Sequence, residues 1–326
     1  MIVKKPILLI AFFIIAATSF SQVQKVTPAD LKTLHKKEDS LKILMKDFFM
    51  DTLVAHRMRS DSQFIRTLVR SLQVKNSFYY PFDSLKGVSK LYAPDSSFKI
   101  FTWQMDFDGK YIRQRGAIQY HTVDGSLKLI PLRDYSEFAD NVMDSIRTKD
   151  TWIGAVYYNM IETQYNGKSY YTLFGYDANN PVSNKKWIEV MTFDNRHLPV
   201  FGGPYFTFDK DTTPRSPQYR FSIEYKKEAS TTMNYDADLQ MILVDHLVSE
   251  SEQPDNPWTL IPDGDYEGFK WVNGKWQHVN KVFDQKLKDG EFPMPDPLRD
   301  ASGNTDEKKL QDQTDKNKTK VKKGKG

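Results

Sequence analysis

Cysteine is absent from all 326 residues. That one absence excludes disulfides, thiolate nucleophiles and thiolate-held metals. It also excludes the lipid-bearing cysteine that tethers many exported bacterial proteins. Most catalytic signatures are missing as well. There is no nucleophile elbow G-x-S-x-G, no H-E-x-x-H, no phosphate-binding or dinucleotide glycine loop and no EF-hand loop. Ser96–Lys99 and Ser183–Lys186 match S-x-x-K by spacing, but both sit at strand edges, not at the helix start that this chemistry needs. The six histidines are His35, His56, His121, His197, His246 and His278, and no two lie within five residues of each other. Spacing therefore supplies no metal site, and no motif calls for a cofactor.

A uniform charge is missing too. The net charge of +4 belongs to the ends, since residues 22–302 hold 36 Lys and Arg against 38 Asp and Glu. Nothing in that body suggests a nucleic-acid groove. Past residue 21 no apolar run is long enough to span a bilayer.

What is present begins with a three-part leader. Lys4 and Lys5 precede the apolar run Pro6–Ala17, and Thr18-Ser19-Phe20-Ser21 supplies small residues. This is the layout of a secretory signal peptide, expected to be cleaved after Ser21, leaving no membrane span. At the other end, the proline-rich run from Phe292 to Pro297 closes the fold. The tail Gly303–Gly326 carries eight lysines against four acids and is expected to be disordered. Such a tail would hold the protein loosely to anionic envelope surfaces.

Aromatic residues are plentiful at 13%, enough to build a core. Thr27 before Pro28, with Asp30 following, marks a helix start, and Leu34, Leu41 and Phe48 recur at helical spacing to about Thr52. Ser60–Gln63 reads as a capping box opening a second helix with Phe64, Leu68 and Leu72 on one stripe. A three-stranded meander is expected next, Phe98–Phe107, Lys110–Thr122 and Leu127–Leu132, turning at Asp108-Gly109 and Asp124-Gly125. Counting from those turns places Phe101, Trp103, Met105, Ile112, Ile118, Tyr120, Leu127 and Leu129 on one face. It leaves Thr102, Gln104, Tyr111, Arg113 and Arg115 on a solvated face. Tyr135–Arg147 reads as an inserted helix.

The strongest local signal is the hairpin around Asn166-Gly167, flanked by Ile153–Tyr165 and Lys168–Tyr176. Simple alternation puts Val156, Tyr158, Met160, Tyr171 and Leu173 on one face. Tyr157, Ile161, Tyr170, Phe174 and Tyr176 fall on the other. Both faces are apolar, so the hairpin must be covered on both sides. Further strands are expected at Trp187–Phe193, Val200–Phe208, Tyr219–Tyr225 and Gln240–Val248. A last hairpin at Asn273-Gly274 sets Trp271 opposite Trp276.

Three ionisable residues on strands invite an acid–base reading. Glu189 lies among Trp187, Met191 and Phe193, and Asp245 and His246 interrupt an apolar strand. Each serves equally as a structural polar group with an internal partner. Asp177, Asn179 and Asn180, where the central hairpin ends, and the pair Trp271 and Trp276 are the ligand-binding candidates. Asp263, Asp265 and Glu267 around Gly264 suit calcium less well than a plain turn. Exposed rings among Tyr79, Tyr80, Trp152, Tyr157, Tyr158, Trp258, Trp271 and Trp276 would form a platform for glycans or peptides.

Several segments resemble an exported protein family of Gram-negative bacteria with no assigned activity. They are Phe98–Trp103 leading to Gly116-Ala117-Ile118-Gln119, Trp152–Tyr158 with Tyr170–Asn180, Lys186–Phe193, Pro199–Gly203 and Met241–His246. The resemblance spans residues 78–285. It implies export and one intact domain, and carries no functional residues with it.

The expectation is therefore an α+β, mainly β protein. Antiparallel meander sheets would carry an N-terminal helical hairpin and one inserted helix packed against them. Residues 1–21 form the leader, 22–96 the helical region, 97–290 the β domain and 291–326 the Pro-rich end and tail. In function, the expectation is a non-enzymatic binding or structural module of the periplasm or cell envelope, meeting a glycan, a peptide or an envelope component. The alternative is a hydrolase of envelope glycans or polymers using Glu189, Asp245 and His246.

Overall fold

The structure is a computed structural model that describes residues 26–109 and 111–283. The leader and the lysine tail expected from sequence lie outside the described residues. Everything below concerns the compact body ending at Val282.

Two α-helices open the described residues, α1 (Pro28–Met50) and α2 (Val54–Leu72). Thr27 caps α1 as expected: its Oγ1 accepts from Asp30 N at 3.2 Å, and Pro28 takes the first turn. Helix α2 starts at Val54, six residues ahead of the expected capping box. Ser60–Gln63 is helix interior, because Asp61 is needed on the buried face, where it meets Arg115.

The strands follow in chain order. They are β1 (Ser89–Tyr92), β2 (Phe98–Asp106), β3 (Ile112–Tyr120), β4 (Lys128–Leu132), β5 (Arg147–Thr148), β6 (Val156–Tyr165), β7 (Lys168–Asp177) and β8 (Ser183–Phe193). Then come β9 (Pro199–Phe201), β10 (Phe206–Thr207), β11 (Arg220–Lys226), β12 (Met233–Asp236), β13 (Met241–Ser249), β14 (Leu260–Val272) and β15 (Lys275–Val279). They form three sheets. The first runs β1-β2-β3-β4, the second β5-β9-β8-β7-β6 with β11 also on β8, and the third β10-β15-β14-β13-β12. All pairings between named strands are antiparallel except β10 with β15.

Three cores separate four layers. Leu34, Leu41, Phe48, Phe64 and Leu68 join the helices to one face of the first sheet through Phe101 and Trp103. Phe98, Ile100 and Ile118 on its other face meet Tyr157, Met160, Tyr171 and Leu173 of the second sheet. The far face of the second sheet, with Phe174, Ile188, Val190 and Phe221, packs on Ile242, Val244, Phe269 and Trp276 of the third. The central hairpin β6–β7 is thus covered on both sides, as its two apolar faces require.

Three expectations are corrected. The meander is one residue out of register. Phe107 N donates to Tyr111 O at 2.9 Å, and Ile100 pairs with Ile118, so the turn is longer than two residues. Ile112, Ile118 and Tyr120 therefore share a face with Phe98 and Ile100, opposite Phe101, Trp103 and Met105. The supposedly solvated face is covered: Thr102 is fully buried and its Oγ1 accepts from Tyr157 N at 2.9 Å. Arg113 and Arg115 lie on the helix side with Phe101.

Second, a β-bulge at Tyr158 breaks the alternation in β6. Tyr157 joins Met160 and Leu173 towards the first sheet, and Tyr158 turns to the third, donating its hydroxyl to Met233 O at 2.5 Å. Third, Tyr135–Arg147 is not an α-helix. It holds two 3₁₀ turns, Ser136–Phe138 and Val142–Asp144, with Phe138 and Ile146 exposed, and its last residue enters β5. The segment instead presents carbonyls to a buried arginine.

Candidate functional site

Glu189 sits on β8 facing the first sheet, 3% exposed. Both its oxygens are taken. The Tyr157 hydroxyl donates to Oε1 at 2.5 Å, and Arg220 Nε donates to Oε2 at 2.7 Å. Trp152 Nε1 donates in turn to the Tyr157 oxygen at 2.7 Å. Burial first, and Glu189 next, push the Tyr157 phenol well above its ordinary value, so it remains a donor. Arg220 completes itself on carbonyls of Val142, Ser145 and Phe201 at 2.7–3.0 Å. Gly202, at φ +81°, lies under its guanidinium, where a Cβ would come within 3.0 Å. The chain crosses from the second sheet to the third at Gly202-Gly203, splitting the expected strand Val200–Phe208. Every member of this network is satisfied from within, which fits a structural role.

Asp245 and His246 lie in the third sheet, a different layer from Glu189. Asp245, 6% exposed, accepts from Thr232 N at 2.6 Å and ties β13 to the residues before β12. His246 is half exposed and meets Asp263 Oδ2 at 2.9 Å. A register shift in β13 separates Asp245 from Leu247. The acidic stretch is dispersed. Asp263 serves His246, Asp265 meets Lys281 at 3.1 Å, and Glu267 faces His278 at 3.1 Å. No group of three or more metal-ligating side chains occurs among the described residues.

Asp177, Asn179 and Asn180 lie in the connection from β7 to β8. Asp177 Oδ1 accepts from Gln114 Nε2 and from Asn179 N, both at 2.9 Å. Burial raises its carboxyl above the usual range. Asn179, at φ +54°, donates to Ser183 Oγ and to Glu224 Oε1. Asn180 Oδ1 accepts from Val182 N and Ser183 N. The three residues close the β7–β8 loop.

Trp271 and Trp276 do pair across β14 and β15, with ring centroids 5.1 Å apart. They are not equivalent. Trp276 is fully buried and donates Nε1 to Thr172 Oγ1 at 2.9 Å. Trp271 is half-buried and continues outwards into a row of rings. Tyr170 lies 5.4 Å from Trp271 and 5.6 Å from Tyr205, and Lys168 Nζ stands 5.4 Å over Tyr170. Tyr165, 37% exposed, leans on the Gly274 turn. Of the other aromatic candidates, Tyr80, Trp152 and Tyr157 are core, while Trp258 and Tyr158 keep exposed surface.

Three features had no sequence signal. Arg220 comes from β11, which nothing in the linear chain connects to Glu189. His278 is buried between Asp211 and Glu267. Lys99 is fully buried, its Nζ donating to Phe78 O and Tyr80 O at 2.9 Å and to the Tyr92 oxygen at 3.0 Å. Alternation in β2 shows that some residue must fill that place, but not that a lysine there meets two carbonyls.

The chain matches no protein-family model, no curated protein and no solved structure. Its class is set by the architecture alone: a mainly β protein of three stacked sheets capped by a helical pair. Among the described residues no helix is long and apolar enough to cross a membrane.

Proposed function

We propose that this chain is an exported, non-enzymatic binding module of the periplasm or cell envelope. The observation that carries the binding reading is the aromatic row Tyr165, Tyr170, Tyr205 and Trp271, with Lys168 beside it, at one end of the second and third sheets. Half-open rings stack on sugar faces, and a lysine and phenol hydroxyls supply hydrogen bonds to sugar hydroxyls. A glycan of the envelope is the ligand that suits this surface best, and a peptide is the other partner that the chemistry allows. The leader Met1–Ser21 supports export, as does the resemblance to exported Gram-negative proteins.

The non-enzymatic half rests on Glu189, Asp245 and His246. They lie in two different layers, and each already has an internal partner. A hydrolase would need two such groups converging on one open space. No observation favours the hydrolase reading over the binding one.

The test is retention of the mature chain on peptidoglycan sacculi, with fluorescence titration against soluble envelope oligosaccharides. Trp271→Ala should weaken binding at least about fivefold, given that a stacked ring contributes on the order of 1–3 kcal/mol. Trp258→Ala, also exposed but away from the row, should leave it unchanged. No retention by the wild type would end the glycan reading. Turnover of the same oligosaccharides by the wild type, lost in Glu189→Gln, would overturn the non-enzymatic one.

A further inference from the structure

The helical pair has a second face that neither the aromatic row nor the core uses. Its inner stripe is consumed by the first sheet. At the α1–α2 junction, however, apolar side chains point away from the protein. Met50 is 73% exposed, Leu53 56% and Met58 43%, and Phe49 beside them is 39% exposed. Ile43, two helical turns back on the same side of α1 as Met50, is 63% exposed. Helix junctions are ordinarily polar. Scattered single exposed hydrophobes are normal, but a run of them at one helix junction marks a contact surface.

The surroundings of this tip have a definite sign. The two helices hold nine Lys and Arg against five acids. Two of those acids, Glu38 and Asp61, are buried, and Asp61 is paired with Arg115. Seven basic side chains of the pair are exposed, Lys42, Lys46 and Arg59 among them near the tip. The acids close to it are Asp47, Asp51, Asp106 and Asp108. Three of these are occupied locally: Asp51 by Leu53 N and His56, Asp106 by Gly109 N, and Asp108 by Tyr111 N. Residues 22–302 as a whole carry slightly more acid than base, so the positive excess is a property of this layer.

We propose that the α1–α2 junction docks the protein reversibly on an anionic phospholipid surface. Met50, Leu53 and Met58 enter the boundary between head groups and acyl chains, and Lys42, Lys46 and Arg59 meet the lipid phosphates. A protein partner is the poorer fit. A stable protein interface buries on the order of 1,200–2,000 Å², which a helix junction with a few exposed apolar side chains does not offer. Shallow apolar insertion combined with basic contacts is enough for reversible lipid binding.

The absence of cysteine makes the test site-specific. Leu53→Cys in the mature full-length chain carries an environment-sensitive dye at the tip, and Val272→Cys, exposed in the β14–β15 turn, carries it on another layer. Both are mixed with vesicles of phosphatidylglycerol and phosphatidylethanolamine, or of phosphatidylcholine alone. The expected result is dye emission that rises with the anionic vesicles at position 53 only, and that falls with added salt. In the unlabelled chain, Met50→Ser with Leu53→Ser should lower sedimentation with those vesicles at least about tenfold. Reversing Lys46 and Arg59 to Glu should lower it by more than about fivefold per charge. The lysine tail is present in every variant and cancels from these comparisons. Equal dye responses at both positions, or sedimentation indifferent to the tip substitutions, would overturn the proposal. So would a vesicle-independent response at position 53 that grows with protein concentration, which would assign the tip to a second copy of the chain.

Discussion

Glu189 and Arg220 face each other from neighbouring strands at 2.7 Å, with side chains 3% and 1% exposed. Their positions are paired in register across β8 and β11. The arginine then reaches two carbonyls beyond the sheet, so one ion pair ties the second sheet to the 3₁₀ segment before β5. Removing one partner strands the other as a buried charge, at a cost of about 3–5 kcal/mol. Arg220→Met and Glu189→Leu should each lower the urea midpoint strongly. The double variant should lose less than the two single losses added together. Additive losses would mean that the pair is not coupled as its geometry implies.

Tyr157 is the third member of that network, brought there by the bulge at Tyr158. Tyr157→Phe keeps the ring and removes the hydroxyl. It leaves Glu189 Oε1 and Trp152 Nε1 without that partner, at a cost of about 1–3 kcal/mol. Tyr158→Phe loses only the bond to Met233 O. Equilibrium unfolding of the two variants should therefore rank Tyr157→Phe as the more damaging. The reverse order would contradict the face assignment.

Lys99 predicts a rising stability with pH. Burial first, and Lys90 second, lower its ammonium to about 7, whereas an unfolded lysine titrates near about 10.4. Between those values the unfolded chain binds more protons, so stability climbs as pH rises through that window. Lys99→Met has no such proton. The stability difference between wild type and Lys99→Met should shift in favour of the wild type from pH 7 to pH 10. A flat difference would show that the three acceptors around the ammonium offset its burial.

His278 predicts the opposite trend. Burial disfavours its charge, but the hydrogen bonds and charges of Glu267 and Asp211 outweigh burial and raise the imidazole above its ordinary value. The rings of Phe208 and Phe269 flank it without charge. The stabilisation is complete below about pH 6.5, the unfolded value, and is lost as pH rises through the higher folded one. The advantage of wild type over His278→Gln should shrink across that interval, with the ring titration followed by NMR. An advantage independent of pH would mean that His278 is neutral in the folded protein.

Much of the fold was legible in the chain. Thr27-Pro28 set the start of α1, and Asn166-Gly167 and Asn273-Gly274 set two hairpins, because caps and tight turns are local devices with few residue solutions. The two apolar faces of the central hairpin demanded a cover on each side, and the first and third sheets supply it. Periodicity failed where one residue of slack mattered. A longer turn after Phe107 and a bulge at Tyr158 moved whole sets of side chains to the other face, and neither leaves a mark in composition. The segment Tyr135–Arg147 has helical spacing, yet its backbone is held in two 3₁₀ turns with two carbonyls aimed at Arg220.

The candidate site divides in the same way. Sequence alone determined that Glu189 and Asp245 sit in apolar strands and must find partners, since an unpaired buried carboxylate is too costly to keep. It also determined that Trp271 and Trp276 stand opposite each other. Only the tertiary structure decided which partners those carboxylates find, that Trp276 is core while Trp271 reaches an open row, and that the α1–α2 tip faces outwards. Those outcomes depend on contacts between residues far apart in the chain, such as Glu189 with Arg220 and Asp61 with Arg115. Local spacing has no means of expressing them.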